Sequence, residues 1–209
     1  MWRIISATLR YRWLLIALAW GAGVFAGLQL GLPTPAKLAI TIAFFLVVAS
    51  AIAGTMITDL ERRERRGLLL PLLVVGRRQV AAARAVAPVA LLALGAALGT
   101  CYCILDALFR GQVVEPDSVL APVAAAAQLL PYMQLALIAV EVKAAHDEAR
   151  RGGARLGALL FITGLAMPLA INLGSLVERW VACALALGVG LALTVAAGVL
   201  YRRRLRFTE

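Results

Sequence analysis

Cys101 and Cys103 flank Tyr102, and with Cys183 and the single histidine, His146, they are the side chains best suited to hold a metal or cycle a disulfide. A C-x-C pair offers two thiolates, whereas a stable tetrahedral site needs three or four ligands. No further ligand follows at chelating spacing, so the cysteines read as small apolar side chains at helix contacts and no metal site is assigned. His146 lies among charges in "EVKAAHDEARRGG" and reads as a solvated loop histidine. The chain holds no G-x-x-x-x-G-K-[ST] phosphate loop, no H-E-x-x-H, no G-x-S-x-G, no C-x-x-C and no D-G-x-x-A-R stretch. Each would be needed for the chemistry it serves. Most acidic residues sit in loops or at helix ends, unlike a proton relay at mid-membrane. Catalysis by this chain is not expected.

Two other groups of residues carry polar chemistry. The first is the stretch 59–84, "DLERRERRGLLLPLLVVGRRQVAAAR", in which Asp59, Glu61 and Glu64 interleave with Arg62, Arg63, Arg65 and Arg66. Ten residues without charge follow, from Gly67 to Gly76, and then Arg77, Arg78 and Arg84. That apolar run has half of the roughly 20 residues a bilayer-crossing helix needs, and free in water it would make a sticky patch. The stretch therefore suits a segment at the membrane surface or wedged between helix ends and a partner. Glu61 and Arg65 stand at i,i+4 in the favourable order, and Gly67 with Pro71 predicts a bend. Topology and anionic lipid would account for arginines alone, but not for the interleaved acids. The second group is Gln128, Pro131 and Gln134, in "SVLAPVAAAAQLLPYMQLALIAV". Uncharged polar groups at membrane depth face protein or a water-filled cavity, and Pro131 is expected to break the backbone ladder nearby. Interhelical hydrogen bonding and lining of a translocation pathway both stand open.

The elements that must carry these groups follow from composition. Of 209 residues 63% are hydrophobic and 15% charged, with a net charge of +10, and the mean hydropathy is +0.90. A soluble domain is about a quarter charged. Nucleic acid is not indicated, because the arginines punctuate apolar segments instead of lining a polar face. Six uncharged runs have spanning length: 13–31, 38–58, 85–105, 118–140, 156–177 and 180–201. Helices satisfy their own backbone in lipid, so the expectation is one all-α transmembrane domain of six helices over residues 1–209. The first run follows Arg3, Arg10 and Arg12, yet it is too long for a secretory signal and reads as a permanent membrane helix. The outer connections, 32–37, 106–117 and the residues around Glu178–Arg179, are short. With the N-terminus inside, all but Lys37, Arg110 and Arg179 of the 21 Lys and Arg residues fall on the cytoplasmic side. The positive-inside rule then places both termini in the cytoplasm, in the plasma (bacterial inner) membrane. Gly23 with Gly27, and Gly95 with Gly99, form G-x-x-x-G pairs for close helix approach, within the bundle or between subunits.

The loop between the second and third runs resembles that of permease subunits of type-2 ATP-binding-cassette exporters. Glu64-Arg65-Arg66-Gly67 is similar to the family's acidic–basic cluster, Leu68 to Leu73 to its leucine run, and Gly76-Arg77-Arg78-Gln79-Val80 to its Ser-Arg segment, with Arg84 as the terminal base. The proline expected at Val74 is instead Pro71, and the re-entrant element many members carry before the last span is missing. The first residues, "MWRIISATLRYRWLL", resemble the interfacial elbow helix, with Trp2, Ile4, Ile5 and Leu9 opposed to Arg3 and Arg10. The resemblance implies a permease that forms the pathway with a second copy or a different permease. ATP and Mg2+ would sit on a separate ATPase subunit, with no cofactor in this chain. It also implies a coupling helix after the second span, carried by Asp59, Glu61, Glu64, Arg65, Arg66, Gly67, Gly76, Arg77 and Arg78. With no charge at mid-membrane, the cargo would be hydrophobic or amphipathic. Two alternatives remain: a non-transporting scaffold or assembly subunit that docks a cytoplasmic partner, and the haem-handling permease of cytochrome c maturation, which the small size and short outer loops also resemble.

Overall fold

The computed structural model describes residues 12–29, 35–64, 77–114, 116–143 and 176–204, and all five elements among them are helices. They are α1 (Trp13–Gln29), α2 (Pro35–Glu64), α3 (Arg77–Phe109), α4 (Pro116–Lys143) and α5 (Leu176–Arg204). The segments Leu38–Ile57, Ala81–Phe109, Val119–Ala139 and Trp180–Arg203 are long and apolar enough to cross a bilayer, which marks an α-helical membrane protein. α1 has 17 residues, about 25 Å of helix, at the short end of what spans a hydrocarbon core of about 30 Å. The run 156–177 and the elbow residues Trp2, Ile4, Ile5 and Leu9 lie outside the described residues, apart from the first two residues of α5.

Proline starts two of these helices and glycine stops a third. Pro35 and Pro116 occupy the first positions of α2 and α4, where a missing N–H costs nothing and φ is already helical. α3 ends on Gly111, at a φ of 63°. The Gly111 N–H bonds to Leu108 O at 3.1 Å and the Gln112 N–H to Ala107 O at 2.9 Å. That pair is a Schellman cap, which needs a residue free to adopt the left-handed region. Arg110 braces the same turn through both carboxylate oxygens of Asp106, at 2.9 and 3.0 Å.

α2 is the spine, with its largest interface against α3 and the next against α1. Lipid supplies no hydrophobic drive for helix association, so close backbone approach has to do it. Both G-x-x-x-G pairs serve that purpose, and both face α2. A methyl at Gly23 would stand 2.8 Å from Phe45 O, and one at Gly27 would stand 2.9 Å from the Ile42 side chain. On the other side, a methyl at Gly99 would stand 3.1 Å from Ala43 O, and one at Gly95 would run into Ser50 Oγ and its Cβ. Ser50 is fully buried. It accepts from Trp20 Nε1 of α1 at 2.8 Å and donates to Leu46 O at 2.8 Å. The hydroxyl thus joins α1 to α2 at the level where α3 comes closest, and the pairings 54/88, 50/95 and 43/99 make α2 and α3 antiparallel.

α3 and α4 are antiparallel too, whereas α4 and α5 run parallel: Gln128 meets Cys183, Leu130 meets Gly190, and Ile138 packs with Ala197 and Tyr201. Three expected boundaries shift. Glu178 and Arg179 belong to the first turn of α5 instead of an outer connection. α3 runs to Phe109, so the connection to α4 is shorter than 106–117. Asp59, Glu61 and Glu64 continue α2 without a break, so the charged half of the 59–84 stretch is, up to Glu64, an extension of a spanning helix. Good helix formers (Leu60, Glu61, Arg62, Arg63, Glu64) with no glycine or proline give the helix no reason to stop there.

Gly95→Ala should lower stability by about 1–3 kcal/mol through overpacking. Adding Ser50→Gly should recover part of that loss, so that the two substitutions are non-additive in thermal unfolding in mild detergent. Simple additivity would refute the contact.

Candidate functional site

The sequence places three prolines inside helices that must lie in lipid: Pro88 in α3, and Pro122 and Pro131 in α4. All three are buried. A proline has no N–H for the carbonyl four residues back, and its ring crowds that turn. In hydrocarbon a neighbouring helix has to make up the deficit. At two of the three sites a side chain of the other helix donates into the turn that the proline disrupts. Gln134 Nε2 of α4 donates to Ala85 O of α3 at 3.2 Å, three residues before Pro88. Thr100 Oγ1 of α3 donates to Val119 O of α4 at 3.1 Å, three residues before Pro122. In each case the acceptor is the carbonyl next to the one that loses its donor, and each helix supports the other. α4 stays helical through Pro131, so the expected interruption there does not end the helix.

α5 closes the site. Gln128 Nε2 donates to Cys183 Sγ at 3.3 Å. At the Arg77 end of the bundle the guanidinium of Arg84 lies 6.0 Å from the centroid of the Tyr201 ring, within cation–π range. Arg84 is 7% and Tyr201 2% exposed. Ala81, Ala85 and Ala197 pack around the tyrosine, with Ile138 against them. The α3–α4–α5 seam therefore concentrates the polar side chains of the membrane region: Gln128, Gln134, Arg84 and Tyr201, all buried. Among the described residues, Gln128 Oε1 and Gln134 Oε1 have no hydrogen-bond partner. A buried acceptor left bare costs about 1–3 kcal/mol, so this arrangement is expensive as it stands and would be relieved by water or a donor entering the seam.

The predicted residues separate into two places. Gln128, Pro131 and Gln134 are buried together on α4. Asp59, Glu61 and Glu64 lie on the last turns of α2, Arg77 and Arg78 open α3, and Arg78 is exposed. Arg65, Arg66, Gly67 and Gly76 lie outside the described residues, as does His146. Cys101 is exposed and Cys103 buried, on different faces of α3. The chain matches no family model, no curated protein and no solved structure. Its reading rests on its own geometry.

Sequence reasoning missed Arg84 and Tyr201 as a pair. Arg84 reads there as a cytoplasmic arginine and as the terminal base of the family-like segment, and Tyr201 only as the end of the run 180–201. The one available signal was that Arg84 stands among alanines, "VAAARAVAP", where a long side chain has no local company.

Gln128→Leu removes a bare acceptor and loses only the bond to Cys183 Sγ, a weak acceptor, so stability should be nearly unchanged. Gln134→Leu strips the donor from Ala85 O and should cost about 0.6–2 kcal/mol, the range for interhelical hydrogen bonds in membranes. Unfolding in a denaturing detergent series compares the two, and equal effects would contradict this assignment.

Proposed function

We propose that this chain is the permease subunit of an ATP-binding-cassette transporter, working as an exporter. In this reading two permease subunits, alike or different, enclose the pathway, and a separate ATPase subunit holds ATP and Mg2+. The observation that carries it is the stretch 59–84, whose acids interleave with arginines and are followed by an apolar run too short to cross. Its described flanks, the end of α2 at Glu64 and the start of α3 at Arg77, lie at the same end of the bundle. The charges would set partner choice and orientation, and the leucine run would anchor the segment to the bundle.

The course of the helices supports six crossings. Because α4 and α5 are parallel neighbours, the chain leaves α4 at one end of the bundle and enters α5 at the other. A further crossing, in the uncharged run 156–177, provides that return. Six crossings put both termini on one side, the cytoplasmic side by the distribution of Lys and Arg. For the pathway, the candidates are Gln128, Pro131 and Gln134, with the bare amide oxygens of the two glutamines as the groups that an aqueous opening would hydrate.

Purification in mild detergent should bring down a nucleotide-binding ATPase with this chain. Glu64→Arg or Arg65→Glu should abolish the ATP hydrolysis stimulated in the complex while membrane insertion stays normal; undiminished stimulation would remove the main support for coupling. Cysteines placed by Gln128→Cys and Gln134→Cys should react with a water-soluble thiol reagent in one nucleotide state and not in another. No reaction in any state would instead favour a docking subunit that does not transport.

A further inference from the structure

Pro88 divides α3 into two parts with different attachments. Beyond it, toward Phe109, α3 packs closely on α2 through Gly95 on Ser50 and Gly99 on Ala43. There Leu91 joins Ala53, Ile57 and Ile16 in a buried cluster, and Leu92 and Ala96 share a core with Leu129 and Met133 of α4. Before it, from Arg77 to Ala87, the described attachments turn toward α4 and α5. Gln134 holds Ala85 O, Arg84 lies over Tyr201, and Ala81 and Ala85 pack on Ala197 and Tyr201. The partition falls at the residue where the helix lacks a backbone hydrogen bond and bends most cheaply. Opposite that point α2 presents Gly54, whose added methyl would come 3.3 Å from Pro88 Cα, so the proline ring sits directly on the α2 backbone.

We propose that Pro88 is a hinge, that residues 77–87 of α3 move on it as a lever together with the last turns of α5, and that the Gln134–Ala85 hydrogen bond is the strap that holds the lever against α4. The lever is short, and from Ala81 to Ala87 it is alanine apart from Arg84 and Val86, so that this part has few bulky side chains to interlock with its neighbours. Among its described residues Arg84 is the long buried side chain, and its guanidinium lies over Tyr201 of α5. The strap is a single neutral hydrogen bond whose amide has a second, bare end among the described residues. Swinging away lets Gln134 gain a partner for its oxygen in exchange for the bond it gives up, so release is cheap. Of the two cross-helix bonds between α3 and α4, the Thr100–Val119 bond has no such excess group, and that end of the pair stays closed.

Spin labels test it in the full chain reconstituted in lipid, in a Cys101→Ala, Cys103→Ala, Cys183→Ser background. Labels at Arg78→Cys and Leu98→Cys, both exposed positions, bracket the hinge within one helix. Their distance distribution should narrow on Pro88→Ala, which restores the ladder, and broaden on Gln134→Leu, which cuts the strap. Labels at Arg78→Cys and Arg203→Cys report whether the lever stays with α5, and their dipolar interaction should persist in Gln134→Leu. A 78–98 distribution that Pro88→Ala leaves unchanged would overturn the hinge. A 78–203 interaction lost on Gln134→Leu would overturn the joint movement with α5.

Discussion

The structure is organised by one constraint: in hydrocarbon each backbone N–H and C=O must find its partner inside the protein. An unbroken α-helix meets that constraint alone. Three buried prolines inside α3 and α4 do not, and at two of them the neighbouring helix sends a side-chain donor into the turn that the proline disrupts. Gln134 and Thr100 each reach the carbonyl three residues before a proline of the other helix. The two bonds lie toward opposite ends of the α3–α4 pair, so they fix its register as well as its closeness. Neither side chain could do this from solvent, since water would satisfy the carbonyls equally well.

Association of the remaining helices follows from packing. α2 is approached by glycines from both sides, Gly23 and Gly27 of α1 and Gly95 and Gly99 of α3, and Ser50 carries the polar link to Trp20 at the same level. Apolar bulk is sent outward, as a bilayer permits: Leu18 and Phe25 of α1 and Leu185 and Val195 of α5 are each more than 60% exposed. The buried core also holds large apolar side chains such as Ile42, Leu91, Leu129 and Met133, so the feature that departs from a soluble bundle is the apolar bulk on the outside.

Much of this was legible in the sequence because lipid imposes so few solutions. Spanning lengths, the all-helical class and the closeness of the G-x-x-x-G helices follow from run length and residue size alone. The glycine pairs pack within the bundle, one of the two uses open to them. What was not legible depends on rotation and partner. No pattern in "VAAARAVAP" says that Arg84 turns inward to Tyr201, or that Ala85 carries the carbonyl Gln134 needs, because both are relations between helices far apart in sequence. Helix ends were misjudged for a different reason. Charge marks where lipid stops, but a helix continues into water when its residues favour it, as α2 does through Glu64 and α5 from Leu176.

That last point bears on how a force applied at residues 65–76 would reach the membrane. On one side the segment joins α2, a helix of 30 residues with no proline after its first position, which packs against α1 and α3 between Ala39 and Ile57. On the other it joins α3, whose first eleven residues precede Pro88 and are fastened to α4 and α5. A push on the segment would therefore be resisted by a continuous rod on the α2 side and would find a joint on the α3 side. The compliance of the bundle would then lie in α3, the helix that carries Arg84 and contacts Gln134 and Tyr201. Displacement of the lever would reach Gln134 through Ala85 and Tyr201 through Arg84 before it disturbed the glycine-packed contact of α2 with α3. A push delivered there would reach the side of the bundle where, among the described residues, the amide oxygens of Gln128 and Gln134 are buried without a hydrogen-bond partner.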